Sequence, residues 1–124
     1  MITSCENRGF QLTFSNGITI SVQFGTGNYC ERRCYAEYRS EMNESLINSQ
    51  DAEIMIWDVN DINFRFEHDD VKGWCDANEI AMWIDYTSKA TSIDDLHRLS
   101  GIERRADYAY EEYFNGDESD NFAQ

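Results

Sequence analysis

Residues 9–30, GFQLTFSNGITISVQFGTGNYC, constrain the fold more than any other stretch of the chain. Phe10, Leu12 and Phe14 alternate with Gln11 and Thr13. After Asn16-Gly17 the alternation resumes, with Ile18, Ile20, Val22 and Phe24 set against Thr19, Ser21 and Gln23. A period of two marks a strand with one buried face. Asn-Gly supplies the positive φ angles that a two-residue type I′ turn demands. The stretch therefore predicts a β-hairpin that covers a core from one side.

The rest of the chain reads as partners for that hairpin. Residues 52–59, AEIMIWDV, predict a central strand, with Ile54 and Ile56 on one side and Met55, Trp57 and Val59 on the other. Residues 64–66 resume a short strand, His68-Asp69-Asp70 is a polar bend, and Gly73-Trp74 docks an aromatic ring on the sheet edge. Asp76 with Glu79 three residues later forms a capping-box pattern. Ile80, Trp83, Ile84 and Thr87 then follow at helical spacing, so residues 77–90 predict an amphipathic helix. Ser92 caps a second helix over residues 93–100 that stops at Gly101. A third helix spans residues 102–114. The expected fold is α+β: an antiparallel sheet of about four strands, one helix packed on it, and two C-terminal helices. Residues 1–116 form a single domain and 117–124 an acidic mobile tail. Residues 31–50 lack clean periodicity and read as a connector, with a short helix near 35–44.

Charge is the second constraint. The 124 residues carry a net −14, and it is unevenly placed. Residues 1–50 hold five acids and four bases, whereas residues 51–124 hold nineteen acids and six bases. Such a field repels phosphate backbones and anionic membranes and attracts basic surfaces. Direct nucleic-acid binding is thus disfavoured, and a protein with a basic surface becomes the expected partner class. No stretch approaches the ~20 apolar residues of a membrane span. The polar start, MITSCENRG, has no signal-peptide core, so a cytoplasmic chain with reduced cysteines is expected.

Three constellations bear on function. The first is the acidic surface: Asp94 and Asp95, then Asp107, Glu111, Glu112, Asp117, Glu118 and Asp120, with Tyr108 as an aromatic anchor, suit a basic groove on another protein. The second is the loop at residues 25–33. There Gly25, Gly27, Asn28 and Tyr29 precede the basic pair Arg32-Arg33, which suits a small anionic ligand or nucleotide. The Gly-x-Gly lacks the helix start and third glycine of a dinucleotide fingerprint, and a loop with unusual backbone angles explains it better. The third is Cys30, Cys34, His68 and Cys75, the ligand types of a structural zinc site, although Cys-x3-Cys is not the commonest spacing. No cofactor is expected, and no nucleophile–base signature marks an enzyme. Arg104-Arg105 after Gly101 suggests a helix-turn-helix, but the acids beside it argue for a plain helical pair.

The blocks GFQLTFSNGITISVQFGTGNYC, AEIMIWDVN and VKGWCDANEIAMWI together resemble a family of small uncharacterised proteins of bacteriophages and bacterial genomes. The shared features are the Gly-Phe-led hairpin, a GxGNY-type exit, the strand ending in Trp and a GW…EIA helix start, over residues 9–85. The resemblance carries no activity or catalytic residue. It implies a phage setting, in which small acidic proteins inhibit host defence components, including CRISPR systems. The expected function is a non-enzymatic inhibitor that binds a host protein through an acidic surface. A nucleotide-binding module and a zinc-stabilised interaction domain are the alternatives.

Overall fold

The alternation in residues 10–24 folds as one hairpin of a larger sheet. The structure, a computed structural model, describes residues 1–6, 8–34, 47–67 and 69–103. Its strands are β1 (Ile2–Ser4), β2 (Gly9–Thr13), β3 (Thr19–Gln23), β4 (Asp51–Trp57) and β5 (Val71–Asp76). They lie in the order β1-β2-β3-β4-β5 with every neighbouring pair antiparallel, a simple meander. Helices α1 (Ala77–Lys89) and α2 (Ile93–Ser100) follow. α1 lies against β3, β4 and β5, and α2 packs on α1, which gives the expected α+β fold.

Period-two patterning decides which face the helices cover. In the β3–β4 register Ile20 faces Ile56 and Val22 faces Ile54. These four side chains, with Ile18 and Ala52, are buried beneath α1 and share one core with Trp83, Phe64 and Leu96. The other face carries Thr19, Ser21 and Gln23, where the Thr13 and Thr19 hydroxyls meet at 2.8 Å and Gln23 donates to Ser21 Oγ. Both helices start as their sequences dictate. The Asp76 carboxylate accepts from Glu79 N–H at 2.9 Å, and Ser92 Oγ accepts from Asp95 N–H at 3.0 Å. Each removes one of the orphan donors of a first turn. Gly101, at φ +77, closes α2 in the left-handed conformation.

Three details depart from the sequence reading. The sheet has five strands rather than about four, because Ile2–Ser4 and Val71–Asp76 pair while residues 64–66 do not join it. Phe64 and Phe66 are core plugs instead: Phe64 stacks on His97 at 4.2 Å, and both phenyl rings meet Trp83 edge-on. The strand over 52–59 stops at Trp57. The Asp58 carboxylate there accepts from Asn60 and Ile62 N–H and turns the chain, leaving Val59 exposed. His97, which stacks on Phe64, is buried, with Nδ1 2.7 Å from Ile102 O.

The third departure is the hairpin turn. Gly17 N–H donates to Phe14 O, and Phe14 N–H donates to Ile18 O. Positive φ occurs at Gly17 (+86) and not at Asn16. The loop is therefore Ser15-Asn16-Gly17, a three-residue connection with glycine in the left-handed position, rather than a type I′ turn. Asn16 is held by tertiary bonds: its Oδ1 accepts from Ile18 N–H, while Nδ2 donates to Thr87 O at 2.8 Å and Ala90 O at 2.6 Å. The turn thus caps the C-terminus of α1. The helix expected over 102–114, the tail at 117–124 and the short helix near 35–44 lie outside the described residues, apart from Ile102 and Glu103.

Candidate functional site

The β4–β5 ladder breaks at one place. Ala52 faces Cys75 and Ile54 faces Lys72, so Glu53 alone stands opposite both Gly73 and Trp74. This is a β-bulge, the device that re-aims a side chain out of a sheet. Gly73 is required by close approach, since a Cβ there would lie 2.5 Å from Tyr29 Cβ. Trp74 takes the left-handed conformation at φ +53, where a bulky side chain is a genuine outlier. The strain costs about 1–2 kcal/mol. Trp74 N–H donates to Tyr29 O at 2.8 Å, which ties the bulge to the loop after β3.

The strain does not bury the ring. Trp74 is 57% exposed and packs beside Tyr29, itself 40% exposed, with ring centroids 5.6 Å apart and planes tilted by 43°. The Arg33 guanidinium carbon lies 4.2 Å from the Tyr29 centroid, a cation–π contact, and its Nη1 donates to Gly27 O at 2.8 Å. A strained backbone that displays two aromatic rings is poor packing but good recognition geometry. The sequence reading missed Trp74 as a functional residue, expecting it docked on the sheet edge. The available signal was Gly73, a glycine inside a strand pattern, which marks a bulge.

The loop proposed for an anionic ligand is occupied by the chain's own acceptors. Asn28 Oδ1 accepts from Gly25 N–H at 3.0 Å. Glu53 accepts from Tyr29 N–H at 2.7 Å, and Asp51 accepts from Glu31 N–H at 2.7 Å. The Tyr29 and Glu31 N–H groups are therefore met by carboxylates, whose charge opposes a second anion. Gly25 is buried against Arg8, and Gly27 takes φ +90 in open space. Arg32 turns inward to Asn48 O while Arg33 turns outward, so they do not form one basic pair. Of this loop the structure brings Tyr29 and Arg33 into the aromatic cluster.

Cys30 and Cys75 behave as core thiols. Burial pushes the Cys30 thiol up from its ordinary value and pushes Cys75 up to about 12. A nucleophilic thiolate needs the opposite shift. No group of three metal-ligating side chains is found among the described residues; of the four-ligand zinc set only the Cys30 and Cys75 side chains belong to these, and His68 and the Cys34 side chain lie outside them. Of the acidic surface, Asp94 is exposed on α2. Asp95 is occupied by Thr91 N–H at 2.9 Å and by Arg98, and these bonds hold its carboxyl below the usual range. Asp107, Tyr108, Glu111, Glu112, Asp117, Glu118 and Asp120 lie outside the described residues.

A separate apolar cleft of about 390 Å³ runs between α1 and the β2–β3 hairpin, lined by Phe10, Val22, Phe24, Ile80, Ala81 and Ile84. Its lining also includes Asn48, Ser49, Gln50 and Asp51. No helix among the described residues is long and apolar enough to cross a membrane. Neither a protein-family model, nor a curated protein, nor a solved structure matches the chain.

Proposed function

We propose that this chain is a non-catalytic binding module that docks on a basic protein surface through Trp74 and Tyr29. The observation that carries the reading is Trp74, held at positive φ and exposed at a bulge that Gly73 and Tyr29 over-determine. Strain of that kind persists where the surroundings impose it, and it clusters at binding and switching sites. Tryptophan, tyrosine and arginine are also the residues that dominate interface energetics. The net charge of −14 selects a basic partner and speeds encounter with it. The raised thiol pKa values of Cys30 and Cys75 argue against those two side chains as nucleophiles.

The phage setting implied by the resemblance makes a nucleic-acid-handling host defence component the specific candidate, because surfaces that hold phosphate backbones are basic. In this form of the proposal the chain competes with nucleic acid for that surface. The test is capture from a bacterial lysate by the wild-type chain and by Trp74→Ala, each over a salt series. Bands lost with Trp74→Ala and weakened by salt support the reading. Capture that is indifferent to the substitution, or to ionic strength, removes it.

A further inference from the structure

We infer that the exposed face of Trp74 seats an arginine side chain of the partner, with the carboxylates of Asp51, Glu53 and Asp76 as its counter-charges. The inference rests on the binding reading above and adds the chemistry of the group recognised.

The chain itself shows the first half of the contact. Arg33 lies over Tyr29 at 4.2 Å, so this aromatic pair already carries one guanidinium. That guanidinium sits on Tyr29, while the neighbouring Trp74 ring, of greater cation–π strength, remains 57% exposed. A second planar cation can stack there without displacing the first.

The second half is charge. Asp51 stands directly opposite Asp76 in the β4–β5 register, and Glu53 faces the bulge that presents Trp74. Like charges directly opposite across a ladder destabilise it. These carboxylates accept backbone N–H bonds, Asp51 from Glu31, Glu53 from Tyr29 and Asp76 from Glu79. None of the three forms an ion pair among the described residues, where the carboxylates of Glu6, Asp70, Glu79, Asp85 and Asp95 do. An incoming cation meets negative charge with no competing lysine or arginine attached to it. Arginine fits better than lysine because its guanidinium stacks flat on indole while its edge still donates to carboxylates, whereas an ammonium is a compact, strongly hydrated point charge.

The experiment uses the full chain, ¹⁵N-labelled, with the Trp74 indole N–H signal assigned by Trp74→Phe. Three peptides are titrated at low salt: acetyl-Gly-Arg-Gly-Arg-Gly-amide, its lysine counterpart, and its citrulline counterpart, which keeps the shape and lacks the charge. The arginine peptide should shift the Trp74 signal saturably, the lysine peptide should bind at least threefold more weakly, and the citrulline peptide should leave the signal in place. The double variant Asp51→Asn/Asp76→Asn keeps the hydrogen-bond acceptors and so the fold, and should weaken arginine binding several-fold. An equal shift with citrulline, no loss in the double variant, or no shift at all with the arginine peptide overturns the inference. The two levels separate cleanly. Trp74-dependent lysate capture with an unresponsive arginine peptide overturns this inference alone, and Trp74-independent capture overturns the reading beneath it.

Discussion

At the scale of single residues, two tryptophans of this molecule have opposite relations to stability. Trp83 is buried among Phe64, Phe66 and Tyr86, so Trp83→Ala should cost about 3–5 kcal/mol. Trp74 is half exposed and conformationally strained. Trp74→Asn removes its contact with Tyr29 but places a residue tolerant of the left-handed region there. The two effects are each about 1–2 kcal/mol and oppose one another. Denaturant unfolding should therefore find Trp74→Asn within about 1 kcal/mol of wild type, while partner binding is lost. A penalty matching that of Trp83→Ala would make Trp74 a structural residue and end its candidacy.

Cys75 gives a residue-level dependence on pH. Its thiol is pushed from an ordinary 9.0 to about 12, first by burial and then by the charge of Glu79. The folded state holds this proton more tightly than the unfolded state, so the unfolded chain binds fewer protons between those values. Stability from the protonated thiol is complete below about pH 9 and is lost as pH rises toward 12. Alkaline melting curves should show a decline in that window that is shallower in Cys75→Ala. An unchanged slope in the variant would assign the decline to other groups.

At the scale of elements, the hairpin turn and the end of α1 form one unit. Asn16 Nδ2 donates to Thr87 O and Ala90 O, and its Oδ1 holds Ile18 N–H. Carbonyls in the last helical turn have no partner within the helix. Asn16→Ala strips three partly buried bonds and should cost about 2 kcal/mol. Asn16→Asp keeps the Ile18 bond but sets a carboxylate against the negative end of the α1 dipole, so it should not restore stability. Thermal unfolding of the two variants measures this, and an Asn16→Asp chain as stable as wild type would contradict the capping role. The hairpin itself was legible in sequence because alternation fixes which side chains share a face. Its loop length was not, since Asn-Gly serves both two- and three-residue loops, and the choice depends on a helix seventy residues away.

At the scale of the whole molecule, net charge dominates. The chain carries −14, and its exposed ion pairs, such as Lys89–Asp85 and Arg98–Asp95, contribute little individually. Self-repulsion weakens a compact state. Adding salt from about 0.01 M to about 0.15 M shortens the screening length from about 30 Å to about 8 Å. The isolated protein should therefore melt at a higher temperature as salt rises over this range, while its complex with a basic partner weakens. A melting temperature that falls with salt would show attractive pairs outweighing repulsion.

The sequence alone determined much of this protein. Alternation in residues 10–24 and 52–57 set the buried faces of three strands, and the Asp76 and Ser92 caps set the starts of both described helices. These are local rules, in which a residue's neighbours within a few positions carry the information. Only the tertiary structure decided the rest. It turned Phe64 and Phe66 from a strand into core plugs, because Trp83 and His97 meet them there. It met the Gly25 amide with the Asn28 side chain and the Tyr29 amide with the Glu53 carboxylate, both from the chain itself. It also made Trp74 an exposed ring, because Tyr29 arrives from another loop and leaves room at position 73 for glycine alone. Each of those outcomes depends on groups distant in sequence, and such contacts exist only once the chain has folded.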